Sequence, residues 1–239
     1  MLSRIVYKAL FMKCVILAAG KGTRLRPLTD TTPKPLVKVA GVPLLDRIVQ
    51  AIPDEVTEFI IVTGYMEEKI MSHCGDNFYG RPVTYVHQKD IKGTAYALWL
   101  CKDLLKGRFL FLFADDIHGA DDIKRLISLE RGIAVTVTDK PERFGIVTRD
   151  ADNMMIDMEE KPSNPKSNLA STGLMVLDEN IFKYKLPENF IGELYLTEII
   201  NKYNKDYPLT VLEQKIWLPV GYPEDIVKVE NYLSKNNLL

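Results

Sequence analysis

The 239-residue sequence predicts an α/β fold in which a doubly wound, mostly parallel sheet is joined to a smaller, β-rich portion. Over residues 13–140, apolar runs of strand length alternate with amphipathic stretches of helical period, as in βαβ units. From Pro141 onward the strand-like runs follow one another more closely, and a turn between two of them indicates a hairpin. A hydrophobic fraction of 46% and a charged fraction of 26% are typical of a globular chain.

In the first part, each apolar run of strand length is followed by a loop or a helical stretch. Residues 15–19 have the apolar character of a buried strand, and a long polar loop then extends to about residue 42. Pro43 suits the first position of a helix because its φ angle is fixed. Strands are predicted at 15–19, 59–63, 83–87, 108–114 and 133–138, and helices at 43–50, 67–73 and 95–105.

The second part has more strands and fewer helices. Residues 145–149 and 154–158 flank an Asp-Ala-Asp-Asn turn, which predicts a hairpin. Further strands are predicted at 174–177, 209–212 and 216–220, and helices at 191–203 and 224–233. Because no Gly-, Ser- or Pro-rich linker separates the two parts, we expect a single domain at 13–239, composed of residues 13–140 and residues 141–239. Residues 1–12 are expected to be an N-terminal extension.

Composition argues against several classes of protein. The sequence has 31 Lys and Arg against 32 Asp and Glu, a net charge of −1, whereas proteins that bind nucleic acid or anionic membranes usually carry a basic excess. The longest apolar run, 109–114, falls far short of the ~20 residues of a membrane-spanning helix. Cys14, Cys74 and Cys101 are too few and too scattered for a disulfide or zinc framework. We therefore expect a cytoplasmic protein that binds neither nucleic acid nor a membrane.

The most informative segment is the loop at residues 17–36, which reads LAAGKGTRLRPLTDTTPKPL and follows the first predicted strand. Ligands of a doubly wound sheet bind at the carboxyl ends of its strands. Gly20 and Gly22 allow backbone N–H groups to approach an anion closely. Residues 21–38 hold five basic side chains against one acidic, a local charge of +4. The third glycine of a dinucleotide motif is replaced by Leu25, and the sequence has no Walker-type loop. A solvated basic turn would explain single lysines but not two glycines, an arginine and two prolines in one loop, so a polyphosphate site explains these residues better.

GKGTRLRPLT followed by PKPL resembles the signature of the sugar-1-phosphate nucleotidyltransferases, and the resemblance extends from Lys13 to about Leu233. It implies a Rossmann-like nucleotide-binding part at 13–140, a sugar-binding part at 141–239, and Mg²⁺ as cofactor. The family reaction joins an NTP and a sugar 1-phosphate into an NDP-sugar and releases pyrophosphate. Arg24 would hold the triphosphate, and Lys34 would bridge phosphates near the reacting α-phosphorus. The other nucleotide-binding positions of the loop are Leu17, Ala19, Gly20, Gly22 and Thr23.

Two later motifs complete the nucleotide side of the resemblance. Gln88 matches the residue that reads the base, since its amide can both donate to and accept from a pyrimidine edge, and Gly93 would let the backbone close on the ring. Asp115 ends an apolar strand at the position of the family's metal ligand, where a carboxylate suits Mg²⁺. Asp116 replaces the asparagine that commonly touches the sugar in this family.

The sugar side of the resemblance consists of short, separated motifs. Gly145 would allow close approach of the sugar ring, Glu160 would accept hydrogen bonds from its hydroxyls, and Lys161 would neutralise its phosphate. Thr172 matches a strand-borne sugar contact, and Glu193 matches an acidic sugar clamp. The predicted sugar-binding residues are therefore Asp116, Gly145, Glu160, Thr172 and Glu193, and the predicted catalytic residues are Arg24, Lys34, Asp115 and Lys161.

The last motif departs from the family pattern. The stretch that begins at Trp217 has Pro219 where the family has a second metal-binding aspartate, and proline cannot ligate a metal. Either Asp115 holds Mg²⁺ together with water and phosphate oxygens, or a neighbour such as Asp116 or Asp225 substitutes. Mg²⁺ commonly takes only one or two protein carboxylates, so activity need not be lost.

Alternatives to this reading stay open. The position of Gln88 favours UTP or dTTP, but a guanylyltransferase that uses GTP also fits. Pro219 is compatible with a non-catalytic protein that senses nucleotide-sugars. Transfer of CMP to a phospho-alcohol fits less well, because the sugar-side motifs are present. We expect a stand-alone enzyme without a further acyltransferase domain, and the sequence leaves a homo-oligomer open.

Overall fold

The computed structural model describes residues 12–187 and 192–236. The helices of the described residues are α1 Leu44–Gln50, α2 Glu67–Cys74, α3 Thr94–Trp99, α4 Ala120–Ile127, α5 Leu196–Asp206 and α6 Pro223–Lys235. The strands are β1 Met12–Leu17, β2 Lys38–Val39, β3 Val42–Pro43, β4 Val56–Thr63, β5 Asn77–Phe78, β6 Arg81–His87, β7 Arg108–Phe113, β8 Asp116–His118, β9 Gly132–Val137, β10 Gly145–Arg149, β11 Met155–Glu160, β12 Leu169–Asp178, β13 Thr210–Glu213 and β14 Trp217–Pro219. Every helix in the described residues is too short or too polar to cross a membrane.

The centre of the molecule is a parallel sheet in the order β7-β1-β4-β6. Ile16 of β1 lies opposite Ile61 of β4 on one side and Leu112 of β7 on the other. Alternate residues of β1 enter separate cores, with Ile16 packed on one face of the sheet and Val15 on the other. Strands β1, β4 and β7 are mostly apolar and buried because both faces of the sheet are covered there, whereas β6 is only partly buried.

Helices form a layer on each face of this sheet. The core on one face includes apolar side chains of α1, α2, α4 and α6, and the core on the other face includes those of α3 and α5. On α4, Ile123, Leu126 and Ile127 are buried at the spacing of one helical stripe. The architecture is therefore a mixed α/β sandwich of three layers, as the alternating pattern predicted.

The second half of the chain extends the same sheet with antiparallel strands. Strand β12 lies antiparallel to β7 through its second half, with Met175 opposite Phe111, and its first half pairs with β9 and β10. Strand β13 then adds to β9 in parallel. The pairing of β12 with β9 is interrupted between Ser171 and Met175, where Gly173 has a φ of 76°. This irregularity lies at the edge of the site described below.

Several elements differ from the sequence prediction. The helix predicted at 95–105 ends at Trp99 and is followed by a 3₁₀ turn, and the strand predicted at 174–177 extends over the ten residues of β12. Helix α4 and the short strand β8 were not predicted at all. The helix predicted at 191–203 begins at Leu196, because residues before it pair with the loop that precedes α3; residue 191 lies outside the described residues.

Candidate active site

Two adjoining cavities open at the carboxyl ends of the parallel strands. The smaller has a volume of about 280 Å³ and the larger about 740 Å³. Both are lined by Arg24, Thr94, Phe113 and Asp115, so these residues stand where the cavities meet. The position agrees with the general rule for ligand binding in open α/β sheets.

The smaller cavity collects the residues predicted to bind the nucleotide. Gly22 has a φ of 62°, and a Cβ atom there would lie 3.0 Å from Cβ of Lys34. The glycine therefore lets the loop fold back so that its lysine reaches the cavity. The predicted residues that line this cavity are Leu17, Ala19, Gly20, Gly22, Thr23, Arg24, Lys34, Gln88, Gly93 and Asp115.

The strongest charged contact of the site joins the loop to the end of β7. The Nζ atom of Lys34 lies 2.6 Å from Oδ2 of Asp115, and Lys34 is only 9% exposed. The pair is held in place because the N–H of Ala114 donates to the carbonyl oxygen of Leu17, which ties the end of β7 to the end of β1. A cation and a carboxylate thus face the same space from two walls.

Gln88, just after β6, is nearly fully buried at 4% exposure and lines the smaller cavity. Its Nε2 atom has no hydrogen-bond partner within the described part of the chain. A buried amide without a partner is costly unless a ligand or water completes it. This residue is therefore suited to donate to a bound heterocycle.

Gly93 lines the smaller cavity and also packs closely against a neighbouring stretch of backbone. A Cβ atom at this position would lie 2.4 Å from the carbonyl oxygen of Leu194, and the φ of Gly93 is 94°. The N–H of Leu194 donates to the carbonyl of Lys92 at 2.9 Å, and its own carbonyl accepts from Ala95 at 3.1 Å. The structure thus explains the glycine by close backbone packing, while a contact with the base stays a prediction.

The larger cavity collects most residues predicted for the sugar side. Glu160 accepts a hydrogen bond from Oγ1 of Thr197 at 3.0 Å, and Lys161 lies next to it with a φ of 45°. Burial acts to lower the pKa of Lys161, but the Glu160 carboxylate and Tyr195 outweigh it and raise the pKa overall. A Cβ at Gly145 would lie 2.5 Å from Cε of Met158, so that glycine is explained by packing. The predicted residues that line this cavity are Arg24, Asp115, Asp116, Gly145, Glu160, Lys161 and Thr172.

Two predicted sugar contacts are placed differently from the rest. Thr172 is 1% exposed, and its hydroxyl donates to Oε1 of Gln214 at 2.6 Å and lies 3.2 Å from the carbonyl of Ala134. The hydroxyl would have to give up these contacts to bind a sugar. Glu193 lines the smaller cavity and not the larger one. Both assignments stay predictions, and the position of Glu193 favours a contact with the nucleoside.

Asp116 faces the cavity beside Asp115 and is fixed by a neighbour. Its Oδ2 atom accepts a hydrogen bond from Nε1 of Trp217 at 3.0 Å, and in the β8–β14 pair it lies directly opposite Pro219. Burial and the charge of Asp115 raise the pKa of Asp116 to about 8, against the influence of Trp217 and the nearby cations. Each carboxylate thus disfavours the charged form of the other, and a bound cation would relieve this repulsion.

Asp225 is already used within the fold. Its Oδ2 atom accepts from the N–H groups of Gly221 and Tyr222 at the start of α6, and its Oδ1 atom pairs with Lys228 at 3.0 Å. In the described residues, no three His, Cys, Asp or Glu side chains come together as a metal cluster. Two adjacent carboxylates remain, and that number suits Mg²⁺ when substrate phosphates and water complete its shell.

The structure adds residues that the sequence analysis did not single out. The ring centroid of Tyr222 lies 5.2 Å from Cζ of Arg24 and 5.2 Å from Cζ of Arg143. The proximity of Arg24, and then of Arg143, lowers the pKa of Tyr222. Neither arginine pairs with a carboxylate in the described residues. The position of Arg143 two residues before Gly145 was a usable signal, and Tyr222 lies within the last motif, although that motif gave it no role.

Comparison with known proteins agrees with this geometry. Residues 13–236 match the family described as Nucleotidyl transferase. A bifunctional protein GlmU of Methanocaldococcus jannaschii is 36% identical over 228 residues, which cover 93% of this chain and 54% of that protein. The UTP–glucose-1-phosphate uridylyltransferase AglF of Haloferax volcanii is 34% identical over 94% of this chain and 97% of its own length. The chain thus spans about half the length of the GlmU relatives it matches.

Solved structures give the same result for the fold. A protein assigned as a glucose-1-phosphate thymidylyltransferase of Bacillus anthracis, in complex with a sucrose, is 31% identical and superposes with a TM-score of 0.82 over 92% of this chain and 94% of that chain. A UDP-glucose pyrophosphorylase complexed with UDP-glucose has the same TM-score of 0.82 at 23% identity, over 95% of this chain and 100% of that chain, and it supports the fold alone. The chain belongs to the nucleotidyl transferase family, whose match covers nearly every residue that lines the two cavities.

Proposed function

We propose that the protein transfers a nucleoside monophosphate from an NTP to a sugar 1-phosphate, releasing pyrophosphate. The observation that carries this proposal is the pair of adjoining cavities that share Arg24 and Asp115, with Lys34 of the smaller cavity paired to Asp115. One cavity suits a nucleotide and the other suits an acceptor. Because they meet at fixed charges, a phosphate oxygen of the acceptor can be held close to a phosphorus atom of the nucleotide.

The reaction we propose is a direct, in-line displacement. An oxygen of the sugar phosphate forms a bond to the α-phosphorus of the NTP, the bond from that phosphorus to the bridging oxygen breaks, and pyrophosphate leaves with the electron pair. Lys34 and Arg24 would neutralise charge on the phosphates as this occurs, which needs no covalent enzyme intermediate. Lys161 would hold the phosphate of the acceptor.

We propose Asp115 and Asp116 as the protein ligands of a divalent cation. Asp116 stands opposite Pro219, and Asp225 is committed to the start of α6 and to Lys228. When bound, Mg²⁺ would neutralise phosphate charge and polarise the reacting phosphoryl group. The side chains of this chain would supply orientation, because Trp217 fixes Asp116 and Lys34 fixes Asp115.

For the nucleotide we propose UTP or dTTP. The free Nε2 atom of Gln88 would donate to a pyrimidine carbonyl, and its amide oxygen could accept from the ring N–H. The names of AglF and of the Bacillus anthracis structure, a uridylyltransferase and a thymidylyltransferase, agree with a pyrimidine. GTP is the competing choice.

We also propose that residues 13–140 serve mainly the nucleotide and residues 141–239 mainly the acceptor, and that the protein acts in the cytoplasm.

The deciding experiment is a grid of activity measurements. The purified protein is mixed with Mg²⁺, one NTP at a time and a panel of sugar 1-phosphates, and pyrophosphate release is followed with an assay coupled to inorganic pyrophosphatase. We expect the highest rate with UTP or dTTP. Tight binding of an NDP-sugar by calorimetry, with no pyrophosphate from any pair, would instead favour a non-catalytic sensor. A preference for GTP would overturn the base assignment and leave the reaction class intact.

A further inference from the structure

Residues 192–197, here called the bridging segment, run between the two walls of the site just before and into α5. On the nucleotide side, the backbone of Leu194 makes both hydrogen bonds to the loop before α3, with Lys92 and Ala95. The N–H of Leu196 adds a third, donated to Oγ1 of Thr94 at 3.0 Å. Leu194 and Leu196 are 6% and 4% exposed. The segment is therefore fixed to the wall of the nucleotide cavity by three hydrogen bonds and two buried side chains.

On the acceptor side, the same segment holds the two residues proposed to bind the sugar phosphate. The hydroxyl of Thr197 donates to Oε2 of Glu160 at 3.0 Å. The ring of Tyr195 lies 4.9 Å from Nζ of Lys161. Lys161 has the left-handed φ of 45°, which a residue with a side chain keeps only when its surroundings hold it. Neighbouring positions of one short segment thus orient both groups.

The two sets of contacts share one stretch of backbone. Only two peptide units separate Leu194, which packs on Gly93, from Leu196, which is bonded to Thr94, and Tyr195 lies between them. A shift of the loop at 92–95 by a fraction of an ångström would have to move this backbone, because a Cβ at Gly93 would already overlap Leu194. Any such shift would reach Glu160 and Lys161 through Thr197 and Tyr195.

On the basis of the proposed function, we propose that the bridging segment couples the two substrate sites, and that Thr94, Tyr195 and Thr197 are positioning residues for the acceptor. These residues act through Glu160 and Lys161 and do not touch the reacting atoms. A nucleotide that settles the loop at 92–95 would also settle the groups that bind the acceptor. By linkage, the acceptor would strengthen nucleotide binding by the same factor.

A purely structural role for these contacts makes a different prediction. A hydroxyl that only stabilised the fold would, when removed, lower the free energy of unfolding and affect both substrates alike. A positioning hydroxyl on Glu160 should affect the acceptor selectively. The distinction can be measured because Thr197 has two informative replacements, one of which keeps the hydroxyl.

The first test compares Thr197→Val, which is close in shape but lacks the hydroxyl, with Thr197→Ser, which retains it. With the NTP and sugar 1-phosphate that react fastest in the wild type, we expect Thr197→Val to raise the KM for the sugar phosphate about tenfold, as loss of one hydrogen bond to a charged group would. The Kd for the NTP alone, measured by calorimetry without the sugar phosphate, should stay within about twofold. Thr197→Ser should restore most of the acceptor KM.

The second test addresses the bridge itself. Thr94→Val removes the acceptor of the Leu196 N–H, and Thr94→Ser keeps it. We expect Thr94→Val also to raise the acceptor KM by about fivefold to tenfold, because the N–H of Leu196 loses its acceptor and the bridging segment is loosened. In the double variant with Thr197→Val, the two effects should be less than additive, because both changes release the same segment.

The outcomes separate this inference from the function on which it rests. If the wild type releases pyrophosphate and Thr197→Val raises the Kd for the NTP alone as much as it raises the KM for the sugar phosphate, or Thr197→Ser fails to rescue, the coupling is wrong and the function stands. If the wild type releases none with any pair, both fall. Should Thr197→Val fail to fold, the exposed Tyr195 serves instead. Tyr195→Leu, which loses both ring and hydroxyl, should raise the acceptor KM about threefold, and Tyr195→Phe, which keeps the ring, should raise it less; equal values for the two would overturn the proposal.

Discussion

The two walls of the site are built in different ways. Half of the residues that line the smaller, nucleotide cavity come from one stretch, residues 17–35, which follows the parallel strand β1. The acceptor wall is assembled from separate segments around residues 115, 143, 160, 172, 195 and 217, which pairing in the antiparallel half brings together. A substitution in the first wall should therefore act locally, whereas one in the second should act through its neighbours.

The largest effect on activity is expected for Lys34, which pairs with Asp115 where the two cavities meet. Lys34→Met removes the cation that faces Asp115, and we expect turnover to fall on the order of 100- to 1,000-fold. The measurement is pyrophosphate release at saturating substrates. Lys38→Met is the matched control, because Lys38 is exposed on β2 and should leave the rate within about twofold. A Lys34 variant that retained a third of the wild-type rate would contradict the proposed role.

The next effect concerns the cation and depends on pairing across the acceptor wall. Asp116→Asn keeps the hydrogen bond from Trp217 but removes a charge, so we expect the affinity for Mn²⁺ in the presence of NTP to fall about tenfold or more, as read by the electron paramagnetic resonance of free Mn²⁺. Pro219→Asp in the same protein should recover part of the loss, because residue 219 lies opposite residue 116.

The contrast for this prediction is Asp225→Asn. Its carboxylate holds the start of α6, so we expect lower stability by about 1 kcal/mol and an unchanged Mn²⁺ affinity. A loss of Mn²⁺ affinity in Asp225→Asn, with none in Asp116→Asn, would reverse the assignment of the two residues.

A smaller effect tests the contact between the walls through backbone alone. Gly93 and Gly192 both have a φ of 94°, but a Cβ would meet Leu194 at 2.4 Å in the first and nothing within 4 Å in the second. Backbone strain should cost each alanine variant about 1 kcal/mol, and the clash should cost Gly93→Ala about 1–3 kcal/mol more. Urea unfolding gives both values. Equal losses would show that the loop and the bridging segment can separate freely.

The smallest effect on activity is expected at the cysteines, which all lie in the nucleotide half. Burial raises the pKa of Cys101 to about 12, and burial with the nearby Asp46 raises that of Cys74 to about 12; burial also raises that of Cys14. A raised pKa leaves little thiolate at pH 8, so an aromatic disulfide reagent should react slowly with the native protein, quickly after unfolding, and leave the rate of turnover unchanged. Rapid inactivation of the native protein would mean that this half opens readily.

The features that could be predicted from the sequence belong mainly to the nucleotide wall. The parallel strands, and the position of Asp115 just after one of them, were predictable, because apolar runs and strand ends are local features. Helix α4 was missed although its buried stripe is regular. Thr172 lines the larger cavity, but its hydroxyl is bonded to Gln214, so its contact with the sugar stays a prediction. The polarity of a single residue does not show whether its side chain faces the cavity or the interior of the fold, because pairing between distant strands decides this.

The continuity of β12 bears on how the chain could be divided. This strand completes the edge of β7 with one half and supports β9 and β10 with the other. A fragment that stopped near residue 140 would leave β7 as a bare edge of apolar residues, and the remaining fragment would hold β12 without β7 and β9, which both pair with it. Unpaired edges of this kind invite association between chains. The two parts should therefore be recovered together from co-expressed fragments, and each should aggregate when produced alone.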